Sequence, residues 1–161
     1  MKKIFCVFSL IILLSLCITS CEPTVPRPKV KEGRFDIIVT YEHNGELREA
    51  SAVYVCEYDG IDWANVNGER FVKWKESFEG DVNESGVIPI CNTDDGGEIF
   101  ISLLLYPEYF MGDPEYADHT PIIRAELWYP DGQIDDAELI AEYGVKLIGC
   151  EYDEPIKNSY K

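Results

Sequence analysis

Strand-like segments that alternate apolar and polar residues, each followed by a turn signal, set the tightest limit on how this chain can fold. Apolar side chains recur at every second position from Phe35 to Tyr41, which is the period of a strand with one buried face. Asn44-Gly45 follows at once, and this pair favours the positive φ angles of a two-residue hairpin turn. The sequence therefore predicts a β-hairpin at the start of the folded region.

Comparable segments continue along the chain, separated by turns rich in Asn, Asp and Gly. Besides the first strand, the sequence predicts strands at Arg48 to Tyr58, Arg70 to Phe78, Val87 to Cys91, Glu98 to Tyr106, Ile123 to Tyr129 and Val145 to Tyr152. Neither face of the second strand is cleanly polar, which favours a central position. Arg124 and Glu126 give the sixth strand a wet face, and Gly60 to Gly68 is expected to be a loop.

One short helix is expected near residues 136–143, where Asp135 can cap its start and Gly144 can end it. With about seven strands and no other helix, the predicted fold is all-β and mainly antiparallel. Two packed sheets, a β-sandwich, are the expected architecture.

Three segments of the chain carry a resemblance to known sandwiches: Ser51-Ala-Val53-Tyr-Val55, Asp81 to Ile90, and Gly97-Glu-Ile-Phe-Ile101. Over about residues 33–109 the chain resembles the carboxypeptidase regulatory-like and transthyretin-like domains. The resemblance implies an immunoglobulin-like or transthyretin-like β-sandwich that acts as a non-catalytic accessory module, and it brings no functional residues with it. The segments Gly60 to Phe78 and Pro121 to Tyr152 depart from that pattern.

The N-terminus has the composition of an export signal. Met1-Lys2-Lys3 precedes an apolar stretch from Ile4 to Ile18, which is shorter than the about 20 residues that a bilayer core requires. Ile18-Thr19-Ser20-Cys21 resembles the lipobox of bacterial lipoproteins, whereas Cys17 follows a leucine where that motif has a small residue. The resemblance implies that Cys21 is diacylated and anchors the protein to the cell membrane or the outer membrane, with its domain outside the cytoplasm.

Four parts are expected along the chain: a signal peptide (1–20), the lipidated Cys21 with a proline-rich tether (21–32), the sandwich (33–154) and a loose C-terminal tail (155–161). The tether has three prolines and no apolar periodicity, which favours an extended spacer. Its eleven residues after the cysteine would reach roughly 34 Å at about 3.1 Å per residue.

The formal net charge of −16 limits the partners of the chain. Such acidity repels phosphate backbones and anionic membrane surfaces, so nucleic-acid binding is not expected. Solubility explains this charge, and attraction for cations or basic partners is the alternative.

Cys56, Cys91 and Cys150 are the cysteines that remain after the signal and the lipidated position. Export permits one disulfide among the three, although each lies near the end of a strand-like segment where a buried thiol also fits. The chain has no Cys-x-x-Cys motif and no nearby histidine cluster, so neither a metal site nor a cofactor is predicted.

Catalytic motifs are not found either. His43 and His119 fall in predicted turns and loops, and the serine-hydrolase, zinc-protease and phosphate-binding motifs do not occur. We therefore expect no enzyme. A cysteine paired with a histidine, or two carboxylates facing each other across a cleft, are the catalytic alternatives.

Two groups of residues point to binding. The acidic turns Asn92 to Glu98 and Asp131 to Asp136 contain calcium-type oxygen ligands, but neither fits an EF-hand loop, and solvated turns are the better interpretation. Aromatic residues are the second group, because sugars stack on exposed rings. The glycan-binding candidates are Trp128, Tyr109, Tyr106 and Trp63.

The leading interpretation is a membrane-anchored bacterial lipoprotein whose non-catalytic sandwich binds a protein partner or has a structural role in the cell envelope. A carbohydrate-binding surface lipoprotein is the alternative, and it requires at least two exposed, coplanar aromatic rings.

Overall fold

The fold is described from a computed structural model, which places residues 25–64, 70–129, 132–134 and 137–161. Outside the described residues lie the predicted signal peptide, the predicted lipidation site Cys21, the predicted Asp135 cap, and Asp131 and Asp136 of the second acidic turn. Among the residues described, no helix is both long enough and apolar enough to cross a membrane.

The first sheet contains four antiparallel strands in the order β3-β2-β1-β8. These are β1 (Glu32–His43), β2 (Glu46–Trp63), β3 (Arg70–Gly80) and β8 (Val145–Tyr152). Asn44 and Gly45 join β1 to β2 with φ angles of 54° and 80°, the positive values of a type I′ turn. The predicted hairpin and the central position of its second strand are both confirmed.

The second sheet also contains four antiparallel strands, in the order β4-β5-β6-β7. Its strands are β4 (Val87–Asn92), β5 (Glu98–Leu104), β6 (Ile122–Tyr129) and β7 (Gly132–Ile134). The seven predicted strands are therefore present in the described residues, and the short β7 is the strand that the sequence did not predict.

The core lies between the two sheets. On β1 the alternate residues from Phe35 to Tyr41 are buried, and they pack with buried side chains of β2, β4 and β5. A second cluster of Ile99, Leu127, Ile140 and Val145 fills the space beside β6 and β8. The period-two pattern thus identified the buried faces correctly, and the fold is an all-β antiparallel sandwich.

Two short α-helices occur among the described residues. The helix α1 (Pro107–Phe110) follows β5, and a 3₁₀ turn covers Pro114–Tyr116. The predicted strand to Tyr106 is therefore too long, because it ends at Leu104. The helix α2 (Ala137–Glu142) lies where the sequence predicts it, and Gly144 ends it with a positive φ of 73°.

The prediction of a loop from Gly60 to Gly68 is wrong for its first part. Strand β2 continues to Trp63, which pairs with Arg70 of β3, and the register shifts between Tyr58 and Ile61. Residues 65–69 lie outside the described residues. The β2–β3 pair is therefore a long hairpin that extends past the start of β1.

The expected extended tether and loose tail are also corrected. Residues 25–31 and 156–161, which together we call the clasp, pair with each other. The Arg27 N–H donates to the Lys161 carbonyl at 2.7 Å, and the Lys29 N–H donates to the Ser159 carbonyl at 2.9 Å. Asn158 adds two side-chain hydrogen bonds to the backbone of Val30, each of 2.9 Å. From Val25 onward the chain is thus part of the folded domain.

Candidate functional site

The outward face of the second sheet combines apolar side chains with a pair of charges. Ile99, Ile101 and Leu127 point into the core, so the residues between them on β5 and β6 point away from it. We call this surface the Trp128 face; its residues are Phe100, Ser102, Leu104, Ile122, Arg124, Glu126 and Trp128.

The apolar part of the Trp128 face is open to solvent. Leu104 and Trp128 are 47% and 41% exposed, and Phe100 and Ile122 are half-buried. The register pairs Phe100 with Glu126 and Glu98 with Trp128, which makes the rings of Phe100 and Trp128 diagonal neighbours. Leu104 pairs with Ile122 at the other end of the same strands. The face therefore carries apolar contact area towards both ends of β5, with Ser102 and Arg124 paired between them.

A charge pair lies in the middle of this face. Glu126 is only 7% exposed, although the sequence predicts a wet face here. Phe100 stands directly opposite it, and the Arg124 Nε lies 3.9 Å from its Oε1. Arg124 stands opposite Ser102 and its side chain is 42% exposed, so one guanidinium and one carboxylate lie between the apolar ends of the face. The expectation of a solvated carboxylate at this strand is wrong.

The four predicted glycan-binding aromatics do not meet at one surface. Trp63 ends β2 in the first sheet, where the Arg70 guanidinium lies 4.9 Å from its ring centre. Tyr106 and Tyr109 flank Pro107 beyond the Leu104 end of β5, whereas Trp128 pairs with Glu98 at the opposite end. Six residues of strand separate these two ends, about 20 Å.

Phe100 is the aromatic residue of this face that the sequence analysis did not select. The alternation of β5 was visible in the sequence, but only the pairing of β5 with β6 shows that Phe100 and Trp128 share a face.

A second polar cluster lies where edge strand β3 approaches α1. The buried Tyr54 hydroxyl donates to the Glu76 carboxylate at 2.5 Å, and burial raises the pKa of Tyr54 above its ordinary range. Burial also raises the pKa of Glu108 on α1, and the charge of Glu76 raises it further. Two carboxylates therefore influence each other here, with a tyrosine hydroxyl already bonded to one of them.

The candidate nucleophiles and bases are not assembled. His43 adjoins the β1–β2 turn, and His119 packs beside Tyr106 and Tyr116 next to α1, near the opposite end of β1. Cys56, Cys91 and Cys150 are all free thiols. Burial raises the pKa of each, and that of Cys56 to about 12, so the thiols stay protonated at neutral pH.

The first acidic turn is closed by its own hydrogen bonds. The Thr93 hydroxyl donates to Asp95 at 2.5 Å and accepts from the Gly97 N–H at 2.7 Å. The bond from Thr93 holds the pKa of Asp95 below its usual value. In the part of the chain that the structure describes, no group of three His, Cys, Asp or Glu side chains is arranged to hold a metal ion.

Comparison of the chain with protein-family models, with curated proteins and with solved structures found no match.

Proposed function

We propose that this chain is a bacterial lipoprotein, anchored through lipid on Cys21, whose sandwich is a non-catalytic module that binds a protein partner through the Trp128 face. The observation that carries the proposal is the strip formed by the exposed Trp128 and Leu104 and the half-buried Phe100 and Ile122 around the Arg124–Glu126 pair. Binding hot spots combine large apolar or aromatic anchors with arginine in this way.

The cellular address rests on the lipobox-like sequence that ends at Cys21. Val25, the first described residue, stands four positions after Cys21, so the lipid would lie within about 14 Å of the domain. The domain would then sit close to the membrane that holds it, whether this is the cell membrane or the outer membrane.

The non-catalytic part of the proposal rests on the separation of the reactive groups. His43 and His119 lie near opposite ends of β1, and the three thiols have raised pKa values that disfavour the thiolate. The Glu76–Glu108 pair is the remaining catalytic alternative, but one of its carboxylates already accepts the hydroxyl of a fully buried tyrosine.

A carbohydrate ligand is the second candidate, favoured by one observation. Phe100 and Trp128 are diagonal neighbours on the same face, and Arg124 and Glu126 lie beside them. Sugar rings stack on aromatic side chains through their C–H faces, while their hydroxyls need fixed donors and acceptors. This platform replaces the predicted one, since Tyr106, Tyr109 and Trp63 do not contribute to it.

Site-specific photo-crosslinking in the intact envelope tests the proposal. A photoreactive amino acid at position 128 or 104 should form the same protein adduct, while one at exposed position 47, on the first sheet, should not. Fatty-acid labelling of the same strains should persist in Cys17→Ala and disappear in Cys21→Ala. The protein-binding proposal is overturned if positions 128 and 104 give no shared adduct. Saturable binding to a glycan array that Trp128→Ala abolishes would then support the second candidate.

A further inference from the structure

The clasp is a basic surface on an acidic protein. Its two segments carry five cations and no carboxylate side chain, although the whole chain has a formal charge of −16. All five side chains are exposed; they are Arg27, Lys29, Lys31, Lys157 and Lys161. Five of the 14 lysines and arginines of the chain thus lie in these 13 residues.

The backbone holds these cations in place. Arg27 and Lys161 exchange two backbone hydrogen bonds, of 2.7 and 3.0 Å, and Lys29 donates to Ser159. The Tyr160 hydroxyl donates to the Met111 carbonyl at 3.4 Å, and the Ile156 N–H donates to the Phe110 carbonyl at 3.0 Å. The clasp is thus fixed both to itself and to the segment that follows α1.

The long β2–β3 hairpin leaves the sandwich at the same end. The Tyr58 N–H donates to the Lys31 carbonyl at 2.8 Å, which joins the clasp to the base of the hairpin. From Tyr58 the hairpin continues to Trp63 and Arg70. Trp63 is 53% exposed and Phe71 is 43% exposed, and the pairing of Phe71 with Asp62 places these two rings on opposite faces of the hairpin.

We propose that this end of the sandwich faces the membrane, with the clasp cations against anionic phospholipid headgroups and the rings of Trp63 and Phe71 in the interfacial layer. The inference rests on the lipidation of Cys21 proposed above. Val25, the first described residue, belongs to the clasp, and only three residues separate it from Cys21. The lipid therefore leaves the domain at the end that carries the cations and the exposed rings.

Charge and ring chemistry both fit this orientation. An anionic surface repels a protein of this net charge, and the least unfavourable approach presents the end where cations are concentrated. Trp is enriched at membrane–water interfaces, where its ring is apolar and its N–H is polar. Aromatic rings near a lipid anchor can therefore add to the membrane binding that the acyl chains provide.

In the same orientation, the end of the Trp128 face that carries Trp128 itself is the end farther from the membrane. Trp128 pairs with Glu98, and its neighbours Leu127 and Tyr129 pack with α2 and Val145. The adjoining Gly144 accepts the Asn44 N–H at the β1–β2 turn. That turn is at the far end of the twelve-residue β1, about 36 Å from the clasp.

Fluorescence quenching tests the orientation. The full-length lipidated protein is reconstituted in vesicles of phosphatidylethanolamine and phosphatidylglycerol that contain bromine-labelled lipid. Quenching of the tryptophan fluorescence should fall by more than half in Trp63→Phe and remain unchanged in Trp128→Phe. Trp74 is buried in the core of both variants and serves as the common background. A larger loss of quenching in Trp128→Phe, or no quenching at all in membrane-bound protein, overturns the inference.

Charge reversal tests the clasp with a matched control. The double variant Lys29→Glu/Lys157→Glu should lower quenching at least twofold in the anionic vesicles but not in phosphatidylcholine vesicles. Arg48→Glu/Lys146→Glu makes the same charge change at the far end, where these residues pair with Tyr41 and Glu42, and should leave quenching unchanged. Equal effects of the two double variants contradict the inference.

Two outcomes separate the proposed anchoring from the proposed orientation. Protein that carries no lipid and does not float with vesicles refutes the anchoring. Lipidated protein that floats but shows no quenching of Trp63 refutes only the orientation.

Discussion

Burial sets the chemistry of the thiol at Cys56. The side chain is fully buried on the inner face of β2, and the nearest ionisable neighbours are the Tyr54 phenol and the carboxylates of Glu76 and Glu108. Removal from water disfavours the thiolate more than any neighbour favours it, so the pKa rises to about 12. A thiol of this kind contributes packing and no reactivity at neutral pH.

The raised pKa of Cys56 predicts a loss of stability at alkaline pH. The folded value lies above the value of 9.0 for an unperturbed cysteine, so the protonated thiol stabilises the fold below pH 9. As pH rises from 9 towards 12, the unfolded chain loses this proton first, and the free energy of unfolding falls by about 1.4 kcal/mol per pH unit from this group. Urea titrations under reducing conditions should show a shallower decline in Cys56→Ala than in the wild type. Parallel pH dependences in the two proteins would contradict this assignment.

The burial of a single side chain could be predicted from the sequence only where the alternation pattern of its own strand decides it. Trp128 was a candidate because of its aromatic ring alone, whereas the alternation of β1 identified its core residues. The burial of Glu126, which is only 7% exposed, was not visible in the alternation of its own strand, and Phe100 stands opposite it on a neighbouring strand. Register between strands was not available from the sequence, so neither the charge pair nor the aromatic pair of the Trp128 face could be predicted.

At the scale of secondary-structure elements, turns specified by a few neighbouring residues were predictable from the sequence. Pairing between segments that are far apart in the sequence was not. Asn44-Gly45 specifies its own turn, and the Asn83 side chain accepts from the N–H groups of Ser85 and Val87 within one short turn. The clasp has no such local signal, because its two halves are separated by more than 100 residues and its prolines favour an extended spacer as readily as a docked one. The short helix α1 was not predicted because its four residues, Pro107–Phe110, are too few to show a helical period.

Asn158 should be the residue that fixes the clasp. Its side chain accepts from the Val30 N–H and donates to the Val30 carbonyl, both at 2.9 Å. Asn158→Ala should lower the free energy of unfolding by about 1–2 kcal/mol, since two hydrogen bonds are lost. Hydrogen exchange should show the amide of Val30 losing its protection, and the amide of Lys29 following it. Asn92→Ala, at an exposed position at the end of β4, is the control. Unchanged exchange at Val30 would mean that backbone pairing alone holds the clasp.

At the scale of the whole molecule, period-two alternation determined the fold class but not the topology. Each predicted strand has apolar residues to bury on at least one face, and two such sheets bury those faces by packing together. The sequence did not show that the last strand, β8, returns to pair with β1. The pairing of β8 with β1 completes the first sheet and brings the C-terminal segment next to residues 25–31. The clasp is therefore a consequence of the topology.

The charge of the whole molecule opposes its folding. Ion pairs such as Arg34–Glu79 and Lys73–Asp59 lie on the outer face of the first sheet and are about half exposed, so each stabilises the fold little. The formal charge of −16 acts over the entire molecule and is most unfavourable in the compact state. Self-repulsion should therefore outweigh these exposed pairs.

Salt should accordingly stabilise the protein. Raising sodium chloride from about 10 mM to about 150 mM shortens the screening length from about 30 Å to about 8 Å, which weakens repulsion between distant carboxylates more than attraction within a contact pair. The midpoint of urea unfolding should rise over this range, and potassium chloride should have the same effect, since screening depends on ionic strength. Urea is the suitable denaturant because it carries no charge. A falling midpoint would show that the ion pairs of the first sheet outweigh the net charge.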